Sequence, residues 1–450
     1  MRLLLIPLIS LSLAGCVLKP QEANREADRL SAAGDRYGYA RGEPTTRAAA
    51  PELPDQPTWR DVLRRAFLAN GDLEAAYFEW AMAVQRIDQA GTWPTSNLEL
   101  GFEYMFSGER MKAFDRTTLS VGLMDPSALP NKTFQNAKVA THEAQAAGER
   151  FRAAKFDLQM RVLQAWADYA LQAEQVRINQ ENVSLLRMVA DTAASRVRTG
   201  GPQQEQLRAG VELRLAENDL ATSQATLGQQ RAKLNALLHR DAAAPLTAPA
   251  EMPEPRKLAS TDDELLSAGV KNNSELAALG RDEEARRSAI ERARMEYLPE
   301  INPMAAFTGS VSQSVGATIG LPTQLPRIRA MVAESRADLR RVQAMAGQAR
   351  ADRAGQFAAT LLALRDAERR TSVFERDVLP LARQTVDLTR RSYAAGTASY
   401  LDLIDAQRTL LDVRKMAAEA RTMREKMLAE LESLAGVDIE TLETASQESP

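Results

Sequence analysis

Apolar positions along this chain follow two rhythms. In the first, they alternate with polar ones. Leu98, Leu100, Phe102, Tyr104 and Phe106 alternate with Glu99, Gly101, Glu103 and Met105, and Leu119, Val121 and Leu123 alternate with Thr118, Ser120 and Gly122. Val315, Ala317, Ile319 and Leu321 repeat the pattern around Gly316, Thr318 and Gly320, and residues 299–309 read as their partner strand despite Pro303. A period of two places one set of side chains on each face of a strand. Each run is close to the roughly ten residues of a tilted membrane-crossing strand. A half-buried sheet in water shows the same alternation, so the pattern alone leaves both open.

The second rhythm has spacings of three and four and predicts helices. Residues 131–198 contain no proline, and 326–394 contain one interior proline, Pro380. At about 1.5 Å per residue each such helix reaches roughly 100 Å. Medium helices follow at 203–239 and 399–435. Val162, Trp166, Tyr169, Ala173 and Val176 form one apolar stripe, and Leu213, Leu220, Leu227 and Leu234 step by seven. Steps of seven are coiled-coil spacing, so these residues are expected to be packing seam.

The order of elements occurs twice. Residues 58–239 read as helix, two strands, long helix and medium helix, and residues 262–442 read the same way. Asn70-Gly71-Asp72-Leu73-Glu74-Ala75 opens the first half and Asn273-Ser274-Glu275-Leu276-Ala277-Ala278 the second. Both opening helices stop before a proline, Pro94 or Pro299, which fits poorly inside a helix. The turns Thr199-Gly200-Gly201-Pro202 and Ala395-Gly396-Thr397-Ala398 superpose at a shift of 196 residues. Glycine suits such turns because it accepts left-handed backbone. Residues 16–57 and the Pro-rich 240–261 read as linkers, and 443–450 as a frayed tail.

The amino terminus adds an address. Arg2 is followed by an uncharged apolar run that ends in Leu13-Ala14-Gly15-Cys16. The run is too short to cross a bilayer, which takes about 20 apolar residues, and reads as a secretion signal over 1–15. Leu-Ala-Gly-Cys resembles the bacterial lipoprotein signal, which implies cleavage before Cys16 and a covalent lipid on it. The chain has one cysteine, so an intrachain disulfide is impossible. Net charge is −3 with both signs interspersed, and no basic block marks a nucleic-acid partner. Aromatic residues are only 5%, which suits long, closely packed helices.

Four strands cannot close a barrel, since bacterial barrels have at least about eight, and an open edge in hydrocarbon leaves backbone groups unpaired. Several copies must therefore share one barrel if these strands cross a membrane. On the duplication, the two Asn-x-x-Leu-x-Ala openings, Leu234-Asn235-Ala236-Leu237-Leu238-His239-Arg240 with Pro245-Leu246, and the segment from Tyr393 to Gln407, the chain resembles the TolC-like outer-membrane efflux proteins. The family usually has glycine where His239 stands. The resemblance implies a mainly α fold with a membrane β-barrel part: duplicated long-helix coiled-coil hairpins plus four strands per chain, forming a trimeric twelve-stranded barrel and an α-helical tunnel. It also implies a passive exit duct in the outer membrane, with Val17 after the cysteine favouring that membrane over the inner one. The implied partners are a periplasmic adaptor, an inner-membrane pump and outer-membrane lipid.

Several residues acquire expected roles from that resemblance. Asp402 and Asp405 match paired aspartates at the periplasmic constriction. They are three apart and share a helix face, and in a trimer they would form carboxylate rings that favour cations and raise some of their pKa values. Tyr393 matches a tyrosine that holds the closed tip, but Ala398 stands where the family's usual example has an arginine. Gly200, Gly201, Gly396 and Thr397 mark the expected adaptor-docking turns. Glu99 and Glu103 are expected to face the barrel lumen.

His142 and His239 have no neighbouring ligand at metal spacing, and no catalytic or nucleotide-binding motif is present, so neither a cofactor nor an enzyme activity is expected. Two other readings remain: a polypeptide-secretion duct, and a periplasmic coiled-coil scaffold lipoprotein without a pore. The scaffold does not account for alternating segments at matching places in both halves.

Overall fold

A computed structural model describes residues 17–39, 50–93, 97–104, 117–124, 130–200, 202–256, 262, 265, 272–308, 312–395 and 397–437. In chain order these form α1 (Gln21–Tyr37), α2 (Trp59–Ala69), α3 (Gly71–Gly91), β1 (Asn97–Tyr104), β2 (Thr117–Met124), α4 (Pro130–Arg198), α5 (Gln203–Leu237), α6 (Ser274–Arg294), β3 (Glu300–Thr308), β4 (Ser312–Gly320), α7 (Leu325–Ser372), α8 (Leu379–Ala394) and α9 (Tyr400–Ala435). No helix among the described residues is long and apolar enough to cross a membrane. The chain divides into two compact units, each drawing on both halves of the sequence.

The first unit contains the sheet. Its order is β1-β2-β3-β4, antiparallel throughout, so the two halves join through β2 and β3. Leu100 pairs with Val121, Phe102 with Leu119, Ile301 with Ile319, Pro303 with Ala317 and Ala305 with Val315. Because β2 also pairs Val121 with Phe307, this register puts Leu100, Phe102, Val121, Ala305, Val315 and Ile319 on one face, while Met304 and Ala306 share the other with Glu99. That face is open: Leu100 is 70% exposed, Phe102 72% and Val315 90%. Pro303 fits because the pairing of β3 with β2 runs only from Met304 to Thr308, so at Pro303 the strand is paired on the β4 side alone and proline's missing N–H is tolerated there.

The segment 16–57 is not merely a linker. Seventeen of its residues form α1, whose buried positions include Ala23 and Glu26. The Glu26 carboxylate accepts the indole N–H of Trp80 at 2.9 Å and a bond from Arg29 at 3.0 Å. Gly148 makes this approach possible, since a Cβ there would lie 2.7 Å from Glu26 Oε1 and 3.0 Å from the Trp80 ring. Upstream, the Leu18 N–H donates to the Gly91 carbonyl at 2.7 Å, Lys19 pairs with Asp88 at 2.7 Å, and Val17 bridges Thr92.

In the second unit, Val162, Trp166, Tyr169, Ala173 and Val176 are all buried, as a packing seam requires. The two Asn openings have a shared structural role. Asn70 caps α3 by accepting from the Asp72 and Leu73 N–H groups, and its amide donates to the Leu237 carbonyl at the end of α5. Asn273 donates to the Leu434 carbonyl near the end of α9 at 2.7 Å. Each motif thus ties the opening of a repeat to its last helix. His239, where the family usually has glycine, has φ 50°, in the left-handed region.

Among the described residues the long helices of the two halves differ. The long helix of the first runs unbroken to Arg198, but that of the second is interrupted by a π turn at Val373–Val378 ahead of Pro380. Proline lacks an N–H and crowds the carbonyl four residues earlier, which the wider turn relieves.

Candidate functional site

The ends of the two helical hairpins, α4–α5 and α8–α9, meet around one apolar cluster. Val183, Leu186, Ala193, Ala209, Ala216, Tyr393, Tyr400, Leu403 and Ile404 are buried in it. Tyr393 and Tyr400 pack edge to face with ring centroids 6.5 Å apart. Both phenol hydroxyls are buried and have no hydrogen-bond partner among the described residues. Burial, then the nearby Glu212 carboxylate, pushes the Tyr400 hydroxyl up to about 12.

The turn after α8 closes on itself. Thr397 donates to the Ser392 carbonyl through its N–H at 2.9 Å and its hydroxyl at 3.1 Å. Ser399 then caps α9. Its hydroxyl oxygen accepts the Asp402 N–H at 3.2 Å, while the Asp402 carboxylate accepts from the Ser399 N–H and hydroxyl at 2.9 and 2.7 Å. These bonds hold the Asp402 carboxyl below its usual range. Asp402 and Asp405 are both exposed, on the side of α9 away from Leu403 and Ile404. In the first turn Gly200 has φ +94° and nothing within 4 Å of a built Cβ, so backbone conformation, not space, requires glycine.

Ala398 is partly buried against the cluster, and an arginine from elsewhere takes up the tyrosine. The Arg196 guanidinium lies 4.2 Å from the centroid of the Tyr393 ring. Sequence reasoning missed Arg196, since a partner in the other repeat leaves no local signal. Ion pairs extend the contact between the hairpins, among them Arg408 with Glu212, Arg414 with Glu181 and Lys426 with Asp168.

In the sheet, Glu99 and Glu103 are exposed and pair with Gly122 and Thr118, on the face opposite Leu100 and Phe102. Cys16, Gly201 and Gly396 lie outside the described residues. No group of three or more metal-ligating side chains occurs among the described residues, where His142 faces Glu284 and Gln145.

Residues 265–437 match the family model of the outer membrane efflux protein. Over these residues the chain is similar to the outer-membrane efflux proteins. It is 26% identical over 365 residues to the cobalt-zinc-cadmium resistance protein CzcC of Cupriavidus metallidurans, covering 79% of this chain and 84% of that protein. Its fold is that of the outer membrane protein VceC from Vibrio cholerae, with a TM-score of 0.71, 18% identity and coverage of 85% of this chain and 96% of that one. The open state of the MtrE outer membrane channel of Neisseria gonorrhoeae gives a TM-score of 0.71 at 18% identity, covering 87% and 94%. Members of this efflux family are channels of the outer membrane and not enzymes.

Proposed function

We propose that this protein is the passive exit duct of a tripartite system, conducting small molecules to the outside from a periplasmic adaptor and an inner-membrane pump. The observation that carries the reading is the register of the sheet. One face collects Leu100, Phe102, Val121, Val315 and Ile319, and the other carries Glu99 and Glu103. A membrane barrel needs lipid on one face and water on the other. Only β1–β2, β2–β3 and β3–β4 pair among the described residues. A homotrimer would pair β1 of one copy with β4 of the next and close a twelve-stranded barrel.

In this reading Glu99 and Glu103 line the lumen. Asp402, Asp405 and Tyr393 belong to the periplasmic gate, and Gly200, Gly201, Gly396 and Thr397 mark the adaptor-docking turns. A lipid on Cys16 holds the chain in the outer membrane. The pairing of Val17 with Thr92, a few residues before β1 begins at Asn97, supports an anchor at the base of the strands. The acidic lumen and gate favour cations, and the likeness to CzcC makes cobalt, zinc and cadmium the first cargo to test.

Deleting the gene should sensitise cells to these cations, and the intact gene should restore growth, with adaptor and pump recovered by cross-linking to a trimer. Unchanged growth would remove the cations as cargo, and a cross-linked monomer alone would remove the duct. Cys16→Ser should abolish acyl labelling. Labelling that persists would place the lipid elsewhere.

A further inference from the structure

We infer that Arg196 is the residue that holds Tyr393 in place, so that the gate is latched by a cation of the first repeat on an aromatic ring of the second. The inference rests on the duct reading, because a latch has a purpose only where something opens.

Three observations carry it. Arg196 makes no salt bridge among the described residues, so its charge is not committed to a carboxylate. It lies 4.2 Å from the ring centroid, well within the roughly 6 Å over which an aromatic face attracts a cation. Its Nη2 also approaches the Tyr393 carbonyl, at 3.5 Å. That carbonyl lies at the end of α8, where a positive charge is favoured by the helix dipole.

The tyrosine hydroxyl adds nothing to this contact, since it is buried without a partner among the described residues. The recognition is therefore of the ring and the backbone. Ala398 cannot contribute a cation, and Arg196 reaches the same tyrosine from another helix. The helix that bears Tyr393 is also the one interrupted by the π turn at Val373–Val378. Such wide turns are places where a helix can bend.

The test compares four variants of the purified full-length protein in planar bilayers. Arg196→Gln and Tyr393→Leu should each raise the open fraction about fivefold, the scale expected for a partly exposed cation–π contact. The double variant should open no further than either single one, because both remove the same contact. Tyr393→Phe should restore the low open fraction of the parent. Parental behaviour from Arg196→Gln, additive effects in the double variant, or a Tyr393→Phe variant as open as Tyr393→Leu would each overturn the assignment.

Amide exchange at residues 391–399 reads the same contact without conduction. It should quicken about fivefold in Arg196→Gln, and unchanged exchange would sink the latch. If neither the parent nor any variant conducts while exchange still responds, the duct reading fails and the Arg196–Tyr393 contact stands.

Discussion

Glu212 and Arg408 form an ion pair with each other although they are 196 residues apart, the shift that superposes the two repeats. Equivalent places in a duplicated hairpin thus carry opposite charges and meet. The pair is partly exposed, so its contribution is small, about 0.2–1 kcal/mol. A double-mutant cycle with Glu212→Gln and Arg408→Gln should return a coupling of that size that shrinks with added salt. Zero coupling at low salt would show that the hairpins are not held together there.

Asn70 and Asn273 should matter more. Each donates to a helix-terminal carbonyl and is buried. Replacing either by Ala leaves that carbonyl without its partner and should cost about 1–3 kcal/mol. Thermal unfolding in detergent measures the loss. Similar losses from both variants would support one splice repeated in the two halves, and a loss from neither would remove the splice.

His239 is the reverse case. Its φ of 50° is uncomfortable for a side chain that carries a Cβ. His239→Gly should relieve that strain but also loosen the unfolded chain, leaving a net gain of about 0.5 kcal/mol. A lower melting temperature in the glycine variant would contradict this.

These residues also show how far the sequence could be read. Strand alternation fixes which side chains share a face, so the four strands and the opposite placement of Glu99 and Leu100 were legible before any coordinates. The heptad and three-four spacings did the same for the long helices. Helix α1 was not legible, because its buried positions include a small alanine and a glutamate, and Glu26 normally signals a solvated face. The π turn is a response to Pro380 that depends on the whole helix. Arg196 has an ordinary setting in the sequence, and only folding brings it to Tyr393.

Glu26 supplies a pH dependence. Burial raises its carboxyl above the ordinary value of 4.5, with Arg29 and the Trp80 N–H opposing the shift only in part. A carboxyl raised in the folded state favours folding most below its ordinary value, where both states hold the proton. That contribution fades as pH rises through the raised value. Parent protein should therefore lose stability relative to Glu26→Gln as pH climbs from about 4 to about 7. Melting curves across that range that run parallel for the two proteins would show that the carboxyl is not destabilised by burial.

The central claim is that the chain makes a gated pore, and single-channel recording in planar bilayers tests it most directly. The purified protein should give small, cation-selective steps. Asp402→Ala together with Asp405→Ala should enlarge them or weaken block by multivalent cations. A bilayer that stays silent with both the parent and this double variant would contradict the account.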